Sequence, residues 1–335
     1  MTEVRIEALA GPDPGDLRAD LLRLVPGPLR ACGQTVTAHT RAEYWLEEIR
    51  ADLRADGAVL LLARSRGHVS GLALLADLVW ESRVLRRRMR GLRQLAAAGE
   101  PEERARVLDR LVEEGVRRAE GEDRADCLVH RCQADDAPAI HALERRGFLL
   151  MDTLVDYVVN LDKPDSSLTV PLPPAGTTLR PAAASDLEGL LAVARSAFEE
   201  HPGRFHSDER IPHAGAVRVY EEWIRSCLEG WADRIVVADC RGSIAGYSAW
   251  KKPSELERRL GIELGHYSIG AVSPEHAASG LFRALTAEGM HYLSLHARLA
   301  EGPTHAANVP VQRAYASLGW RAAGARHGFH RWSTA

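Results

Sequence analysis

Apolar and polar residues alternate along this chain in segments that fit short strands and amphipathic helices. Two apolar runs, residues 58–63 and 234–238, each lead through a glycine turn into a second apolar run, which predicts a β-hairpin in each half. Longer segments show the periods of 3.6 and 2 residues that are typical of helices and strands. They predict helices over 187–198, 220–228 and 279–295 and strands over 153–161 and 265–272. The mixture indicates an α/β (α+β) fold.

Two stretches of the first half recur in the second half. Residues 136–148, Asp-Ala-Pro-Ala-Ile-His-Ala-Leu-Glu-Arg-Arg-Gly-Phe, return 172 positions later as residues 308–320, Asn-Val-Pro-Val-Gln-Arg-Ala-Tyr-Ala-Ser-Leu-Gly-Trp. The hairpin turn at Gly67 returns 175 positions later at Gly242. Two matches in the same order at nearly the same spacing predict a duplicated module. The tyrosine of the second stretch, Tyr315, has a leucine as its counterpart in the first.

A proline-rich stretch divides the two copies. Residues 162–174 contain four prolines among serine and threonine, a composition typical of a linker. The strand before it is expected to complete the first module. We therefore predict modules at residues 1–164 and 165–335, each a mixed, mostly antiparallel twisted sheet flanked by helices. In the first module, residues 81–120 are rich in arginine and leucine and predict mostly helix, without a glycine loop after a strand.

Composition limits the class of protein. With 335 residues, 45% hydrophobic and 27% charged, the chain fits a soluble globular protein with two cores. The net charge of -3 provides no general attraction for nucleic acid. No run approaches the roughly 20 apolar residues of a membrane span, and the N-terminus lacks the features of a signal peptide. Five cysteines without a Cys-x-x-Cys pair fit reduced thiols. We expect a cytoplasmic monomer or homodimer with no nucleic-acid or membrane partner.

The segment from Gly270 to Leu285 is the best candidate for a phosphate site. A predicted strand runs into a turn of small residues and then into a helix. The first N–H groups of a helix are unpaired and lie at the positive end of its dipole, so they suit a pyrophosphate. Residues 278–282 would supply these donors. A plain strand-to-helix corner is the alternative interpretation.

This pattern, followed by Asn308, Tyr315 and then Leu-Gly-Trp, resembles the GNAT superfamily of N-acetyltransferases. A closer resemblance, over most of residues 128–332, is to dTDP-fucosamine acetyltransferase-like proteins. The resemblance implies that the strand holds the pantetheine arm of coenzyme A, that the loop holds its pyrophosphate and that Tyr315 faces the thioester sulfur. The implied coenzyme-binding residues are Gly270, Ala271, Val272, Ala277, Ala278, Ser279, Gly280, Leu281, Phe282 and Asn308.

The loop departs from the family pattern, which is usually Gln/Arg-x-x-Gly-x-Gly/Ala. Here Ala277 replaces the first residue and Phe282 the last, which leaves Gly280 in register. Loss of the long polar side chain removes one hydrogen bond to phosphate, while the backbone donors remain. Asn308 is expected to cap its helix, and the resemblance adds a hydrogen bond to the coenzyme arm.

Tyr315 is the predicted catalytic residue, because a nearby O–H donor eases the departure of coenzyme A as a thiolate. Ordinary pKa values of about 10 for tyrosine and about 8.5 for a thiol make full proton transfer uphill by roughly 2 kcal/mol. A hydrogen bond that strengthens as charge develops is therefore sufficient. The alternative is a helix tyrosine that packs on the core.

The attacking amine must be neutral, so a base or a chain of water molecules is required. His266 and Glu263 are candidate bases beside the strand that enters the site, although strand alternation places them on opposite faces. Arg204, Phe205 and Tyr220 are expected to bind the acceptor, since aromatic rings stack on a nucleotide-sugar and guanidinium groups pair with phosphate. A core position is the alternative for Tyr220.

The resemblance thus implies transfer of an acetyl group from acetyl-CoA, the donor substrate, to a primary amine by direct attack. The expected acceptor is a small molecule, namely an amino sugar or a nucleotide-linked amino sugar. An acyl-CoA enzyme of other chemistry, such as a decarboxylase or a longer-acyl transferase, and a non-catalytic binding protein remain alternatives. No metal site is predicted, because the 14 histidines lack cysteine partners at zinc-ligand spacing.

Overall fold

The computed structural model describes residues 4–11, 13–29, 36–65, 67–162 and 171–333. Cys32, most of the predicted linker and the predicted boundary between residues 164 and 165 lie outside these ranges. The chain divides into two compact units. The first comprises Met1–Thr153 with Ala325–Ala335, and the second comprises Leu154–Gly324.

The first unit is a sheet with helices on both faces. Its strands, in spatial order, are β1 (Arg5–Leu9), β2 (Val59–Ser65), β3 (His68–Asp77), β4 (Met89–Ala97), β5 (Cys127–Gln133) and the end of β12 (Arg321–Trp332). Its helices are α1 (Arg18–Leu21), α2 (Ala38–Leu53), α3 (Val79–Leu85), α4 (Pro101–Gly121) and α5 (Ala137–Arg145). The described pairings are antiparallel except that of β4 with β5.

The second unit repeats this plan. Its strands, in spatial order, are the end of β6 (Leu149–Asn160), β11 (Leu299–His305), β10 (Leu264–Val272), β9 (Ser243–Lys251), β8 (Arg234–Cys240) and β7 (Thr177–Pro181). Its helices are α6 (Leu187–Ala197), α7 (His213–Ser226), α8 (Glu255–Arg259), α9 (Leu281–Ser294) and α10 (Val309–Ser317). The described pairings are antiparallel except that of β10 with β11. The predicted mixed, mostly antiparallel class is confirmed.

Both predicted hairpins form. Gly67 has a φ of 82° and Gly242 a φ of 87°, left-handed values that glycine adopts without steric cost. The strands that follow are in equivalent register, since Gly71 lies opposite Ala97 and Gly246 lies opposite Val272. The spacing of 175 residues between the copies therefore extends through the hairpins into β4 and β10.

The last strand of each sequence half belongs to the other unit. β6 pairs with β11 along residues 154–160, and β12 pairs with β5 along residues 326–332. The expectation that the strand predicted over 153–161 completes the first module is therefore wrong. Strand periodicity identifies the strand but carries no information about its partner.

The segment 81–120 is mostly helix, as expected, but it also contains a strand that was not predicted. Two helices are present, but β4 lies between them and pairs with both β3 and β5. Its sequence, Met-Arg-Gly-Leu-Arg-Gln-Leu-Ala-Ala, is rich in residues that favour helices. Burial of Met89, Leu92 and Leu95 between layers overrides that local preference.

The core of the first unit is formed on both faces of its sheet. Along β2, Leu61 and Ala63 pack on the cluster that includes α4, while Leu60 and Leu62 pack on the cluster that includes α2. Successive side chains of a strand point to opposite faces, so a strand covered on both sides reads as an unbroken apolar run. This explains the apolar stretch at residues 58–63.

Candidate active site

Strands β10 and β11 begin as a parallel pair and then separate. Their described pairing runs from Leu264 to His266, and β10 shifts register against β9 between Tyr267 and Ile269. Such a bulge bends a strand and interrupts its ladder. The Trp223 indole N–H donates to Oγ of Ser268, the bulge residue, at 3.2 Å. The bulge therefore marks where the two strands part.

A tryptophan also donates to a residue at a strand bulge in the first unit. There, the Trp45 indole N–H donates to the side-chain oxygen of Gln94 at 2.7 Å, and β4 shifts register against β3 at this level. Trp45 and Trp223 are 178 residues apart, a third repeat that the sequence contains and that our sequence analysis missed. A buried indole N–H usually finds a partner, so the repeated tryptophan was the available signal.

A cavity of about 560 Å³ in the second unit is lined by β10, the following loop, α9, α10 and the end of α6. Ser279 does not line it, and its hydroxyl donates to the His276 carbonyl at 2.6 Å. The structure brings the other predicted coenzyme-binding residues together. Those that line the cavity are Gly270, Ala271, Val272, Ala277, Ala278, Gly280, Leu281, Phe282 and Asn308.

The loop between β10 and α9 presents backbone donors. Ala278 and Gly280 have φ values of 58° and 86°, and Gly280 caps α9 without a side-chain hydrogen bond. A left-handed alanine costs about 1–3 kcal/mol and such residues cluster at ligand sites. Within the described ranges, the amides of Phe282 and Arg283 have no hydrogen-bond partner. An anion at the start of α9 would satisfy these donors.

Basic side chains surround this loop. His276, Arg283 and Arg313 line the cavity, and Nε of Arg283 is buried without a hydrogen-bond partner in the described part of the chain. None of the three is among the site residues predicted from the sequence, although Arg283 directly follows the predicted loop. The two arginines provide positive charge beside the loop, whose first pattern position is the uncharged Ala277.

Asn308 has two roles in this geometry. Its side-chain oxygen accepts the Val311 N–H at 3.4 Å, which confirms the predicted helix cap. The same residue lines the cavity. The counterpart in the first unit, Asp136, also caps its helix and accepts the Ala139 N–H at 3.2 Å.

Tyr315 does not face the cavity. Its side chain is fully buried, stacks on Trp320 at 4.7 Å and lies 5.3 Å from the Tyr157 ring. Its hydroxyl has no hydrogen-bond partner among the described residues, and burial raises the pKa of Tyr315 well above its ordinary value. The placement differs from the expectation of a phenol that faces the thioester, and it leaves an unsatisfied buried donor.

His266 and Glu263 do not line the cavity either. His266 lies between two carboxylates, with Nδ1 3.0 Å from Glu301 and Nε2 3.0 Å from Glu257. Burial lowers its pKa, but the hydrogen bonds to Glu257 and Glu301 outweigh burial and raise the pKa of His266 to about 9. The two carboxylates thus favour the protonated form of His266, and the exposed Glu263 contacts Arg298 at 3.7 Å.

The predicted acceptor residues lie beside the cavity rather than on its wall. Phe205 and Tyr220 are buried, and Arg204 lies 4.4 Å over the Phe205 ring. Tyr220 stacks on Phe198 at 4.2 Å. Phe198 does line the cavity, together with His201. The core interpretation of Tyr220 fits this geometry, and the aromatic part of the cavity wall comes from the end of α6.

The first unit closes the corresponding opening with its own chain. The Val25 N–H donates to the Ala97 carbonyl at 3.3 Å, and the Ala97 N–H donates to the Val25 carbonyl at 3.1 Å. Arg104 donates to both carbonyls and forms a two-pronged pair with Asp136 at 2.6 and 2.7 Å. A Cβ on Gly99 would lie 2.9 Å from the Glu103 carboxylate, which therefore sits over the start of α4.

No group of three or more metal-ligating side chains occurs within the ranges that the structure describes. Across the same residues, the helices are too short or too polar to cross a bilayer. Cys127, Cys132, Cys227 and Cys240 are free thiols.

No family model matches the chain, but individual proteins do. It is 28% identical over 181 residues to the spore coat polysaccharide biosynthesis protein SpsD of Bacillus subtilis, an alignment that covers 53% of this chain and 57% of SpsD. It is 26% identical over 329 residues to mycothiol acetyltransferase of Kineococcus radiotolerans, with 93% and 92% covered. The chain thus spans little more than half of the first relative and most of the second.

Two solved structures resemble the whole chain. A GCN5-related N-acetyltransferase from Sphaerobacter thermophilus is 18% identical with a TM-score of 0.63, over 98% of this chain and 95% of that one. A tandem GNAT protein from the clavulanic acid biosynthesis pathway is 17% identical with a TM-score of 0.56, over 98% of both chains. The fold is the GNAT fold in tandem form. The solved structures that share this fold are GNAT N-acetyltransferases and a tandem GNAT protein.

Proposed function

We propose that this protein is an N-acetyltransferase that moves an acetyl group from acetyl-CoA to a primary amine by direct attack. One observation carries the proposal: the parted edge of β10, the uncapped start of α9 and Asn308 meet at a single cavity. An extended amide chain that ends in a pyrophosphate fits these three features together. The mycothiol acetyltransferase relative supports the acetyl donor.

The pantetheine arm is proposed to lie along β10. In the first unit, Ala97 directs its N–H and C=O to Val25. Val272 occupies the equivalent register, so its N–H and C=O also point away from β9. We propose that the N–H and C=O of Val272 bind the amides of pantetheine. They would do so in the way that the N–H and C=O of Ala97 bind Val25. The first unit thus contains a peptide analogue of the contact that we propose for the coenzyme.

The pyrophosphate is proposed to bind the amides of residues 280–283, with Arg283, Arg313 and His276 around it. A guanidinium pairs with phosphate oxygens through two parallel hydrogen bonds. The unpartnered Nε of Arg283 fits this role, because a buried donor without a partner is costly unless a ligand satisfies it.

One coenzyme is proposed per chain. In the first unit, Val25 and Arg104 fill the strand edge, and the carboxylate of Glu103 occupies the helix start where a phosphate would sit. A carboxylate there stabilises the helix and repels a second anion. The first module is thus a scaffold without a coenzyme site.

Tyr315 is proposed to donate a hydrogen bond to the departing thiolate. Its unsatisfied hydroxyl supports the role, since no described residue uses it. Phe282 lines the cavity, and its ring lies 6.2 Å from that of Tyr315. Displacement of the Phe282 side chain by the thioester is the movement that this role requires. His266 and Glu263 have no part in the proposal.

The acceptor is proposed to be an amino sugar. Phe198 presents an aromatic wall to the cavity, backed by Tyr220, and such rings stack on sugar faces. The SpsD relative, named for polysaccharide biosynthesis, is consistent with this class.

Titration calorimetry with acetyl-CoA tests the coenzyme site. We expect one molecule bound per chain, and about 10- to 150-fold weaker binding by Arg283→Ala because one charge-assisted pair contributes about 1.5–3 kcal/mol. Arg321→Ala, which changes an exposed arginine at the start of β12, is the matched control and should bind as the wild type does. No heat with acetyl-CoA or coenzyme A would remove the proposal, and two molecules per chain would remove the scaffold role of the first unit.

A further inference from the structure

The charged side chains that line the cavity have one sign. Within the described residues, those that can ionise are His201, His276, Arg283 and Arg313, each either neutral or cationic. Three of these come from the loop, α9 and α10, where the proposed function places phosphate. His201 comes with Ala197 and Phe198 from the end of α6. It is thus the imidazole on the wall that we assign to the acceptor.

Aromatic rings surround His201. The Phe198 ring lies 5.3 Å from it, the Tyr220 ring 5.4 Å and the His305 ring 6.1 Å. Nδ1 of His305 accepts the Ala307 N–H at 3.1 Å, so a neutral His305 carries its proton on Nε2. Beyond Tyr220 lies His206, at 5.9 Å from that ring.

No carboxylate is among the described residues that line the cavity. Glu199 lies beside His213, with 4.0 Å between its carboxylate and Nδ1. Glu200 and Glu275 are exposed. The ring contacts of His201 include a phenol and an imidazole, those of Tyr220 and His305.

We propose that His201 accepts the proton of the attacking amine, and that the acceptor is a weakly basic amine on a neutral or anionic molecule. This inference rests on the proposed function. The amine nitrogen bonds to the thioester carbonyl carbon as the carbon–sulfur bond breaks. One N–H proton passes to the His201 imidazole, and the sulfur leaves as a thiolate that takes up a proton from solvent to become the free thiol. His201 then returns its proton to solvent.

The weak basicity that we propose for the acceptor follows from the charges of the side chains that line the cavity. An ammonium group that enters this cavity meets cations and no described carboxylate on the wall. At about pH 7.5, an alkylamine with a pKa of about 10.4 is about a thousandth neutral, whereas an α-amine with a pKa of about 7.8 is about one-third neutral. An imidazole can accept a proton from an amine of the second kind. The cavity thus selects against polyamines and lysine side chains.

Competing acceptors test the inference directly. Glucosamine and glycinamide are the weakly basic probes, and 1,5-diaminopentane and spermidine the strongly basic ones, with thiol release from acetyl-CoA as the readout. We expect kcat/KM to be at least about 100-fold higher for the better weakly basic probe, following the difference in neutral fraction. A strongly basic probe that is preferred overturns the inference. So does the failure of both weakly basic probes in a chain that binds acetyl-CoA.

Variants test His201 itself. His201→Ala should lower kcat about 100-fold, because it removes the general base. The affinity for acetyl-CoA should be unchanged. Free imidazole should restore part of the lost kcat. His291→Gln alters an exposed histidine of α9 and should match the wild type. Unchanged kcat in His201→Ala, or a loss that imidazole does not reverse, overturns the assignment. Failure of the wild type to bind acetyl-CoA would instead remove the proposed function and this inference together.

Discussion

Replacement of Tyr315 by phenylalanine removes one oxygen atom and leaves the ring in place. The hydroxyl is buried without a hydrogen-bond partner among the described residues, and such a group costs about 1–3 kcal/mol. The ring contacts with Trp320 and Tyr157 remain, because they involve the ring faces. We therefore expect Tyr315→Phe to raise the free energy of unfolding by about 1–2 kcal/mol.

The same change should impair catalysis. A proton donor to a leaving group contributes about 10²–10⁴ in rate, so we expect kcat to fall about 100-fold with acetyl-CoA affinity near wild type. Denaturant unfolding measures the first effect, and thiol release with the best acceptor measures the second. Greater stability with lower activity is the signature of a polar group that is kept for function.

Tyr157→Phe is the matched control. Its hydroxyl lies in the same cluster but donates to the Gln312 side-chain oxygen at 3.2 Å. Its removal should lower the free energy of unfolding by about 1 kcal/mol, opposite in sign to the change at Tyr315. If Tyr315→Phe is destabilised to the same extent, the hydroxyl is not unsatisfied. If its kcat is that of the wild type, Tyr315 is not the donor.

Three further predictions concern single positions. Arg104→Ala should lower the melting temperature without adding a second acetyl-CoA site, and two bound molecules in calorimetry would contradict this. Gly289→Ala should lower the free energy of unfolding by about 2 kcal/mol or more, because a Cβ there overlaps the Trp250 indole. His266 has a raised pKa of about 9, so its contribution is complete below about pH 6.5 and is lost as pH rises through about 9. Denaturation of His266→Gln should match wild type at high pH and fall below it at low pH; a constant difference would disprove this.

Local patterns in the sequence were enough to identify the elements of the site. Turn glycines, helix caps and strand alternation depend on neighbours within a few residues, so the hairpins, α9, α10 and the loop from Ala277 to Phe282 could be predicted. The repeat spacing extended this reasoning to the duplicated plan. The difference between Leu143 and Tyr315 at equivalent positions distinguishes the two copies from the sequence alone.

Tertiary structure decided the features that depend on distant partners. The exchange of β6 and β12 is a choice between two apolar edges that periodicity does not distinguish. The protonated state of His266 depends on Glu301, 35 residues away, and the closure of the first unit depends on Val25 at Ala97. The burial of Tyr315 and the place of His201 on the cavity wall follow from packing between layers. A chain specifies its elements through short-range sterics, whereas side-chain environments arise from long-range contacts.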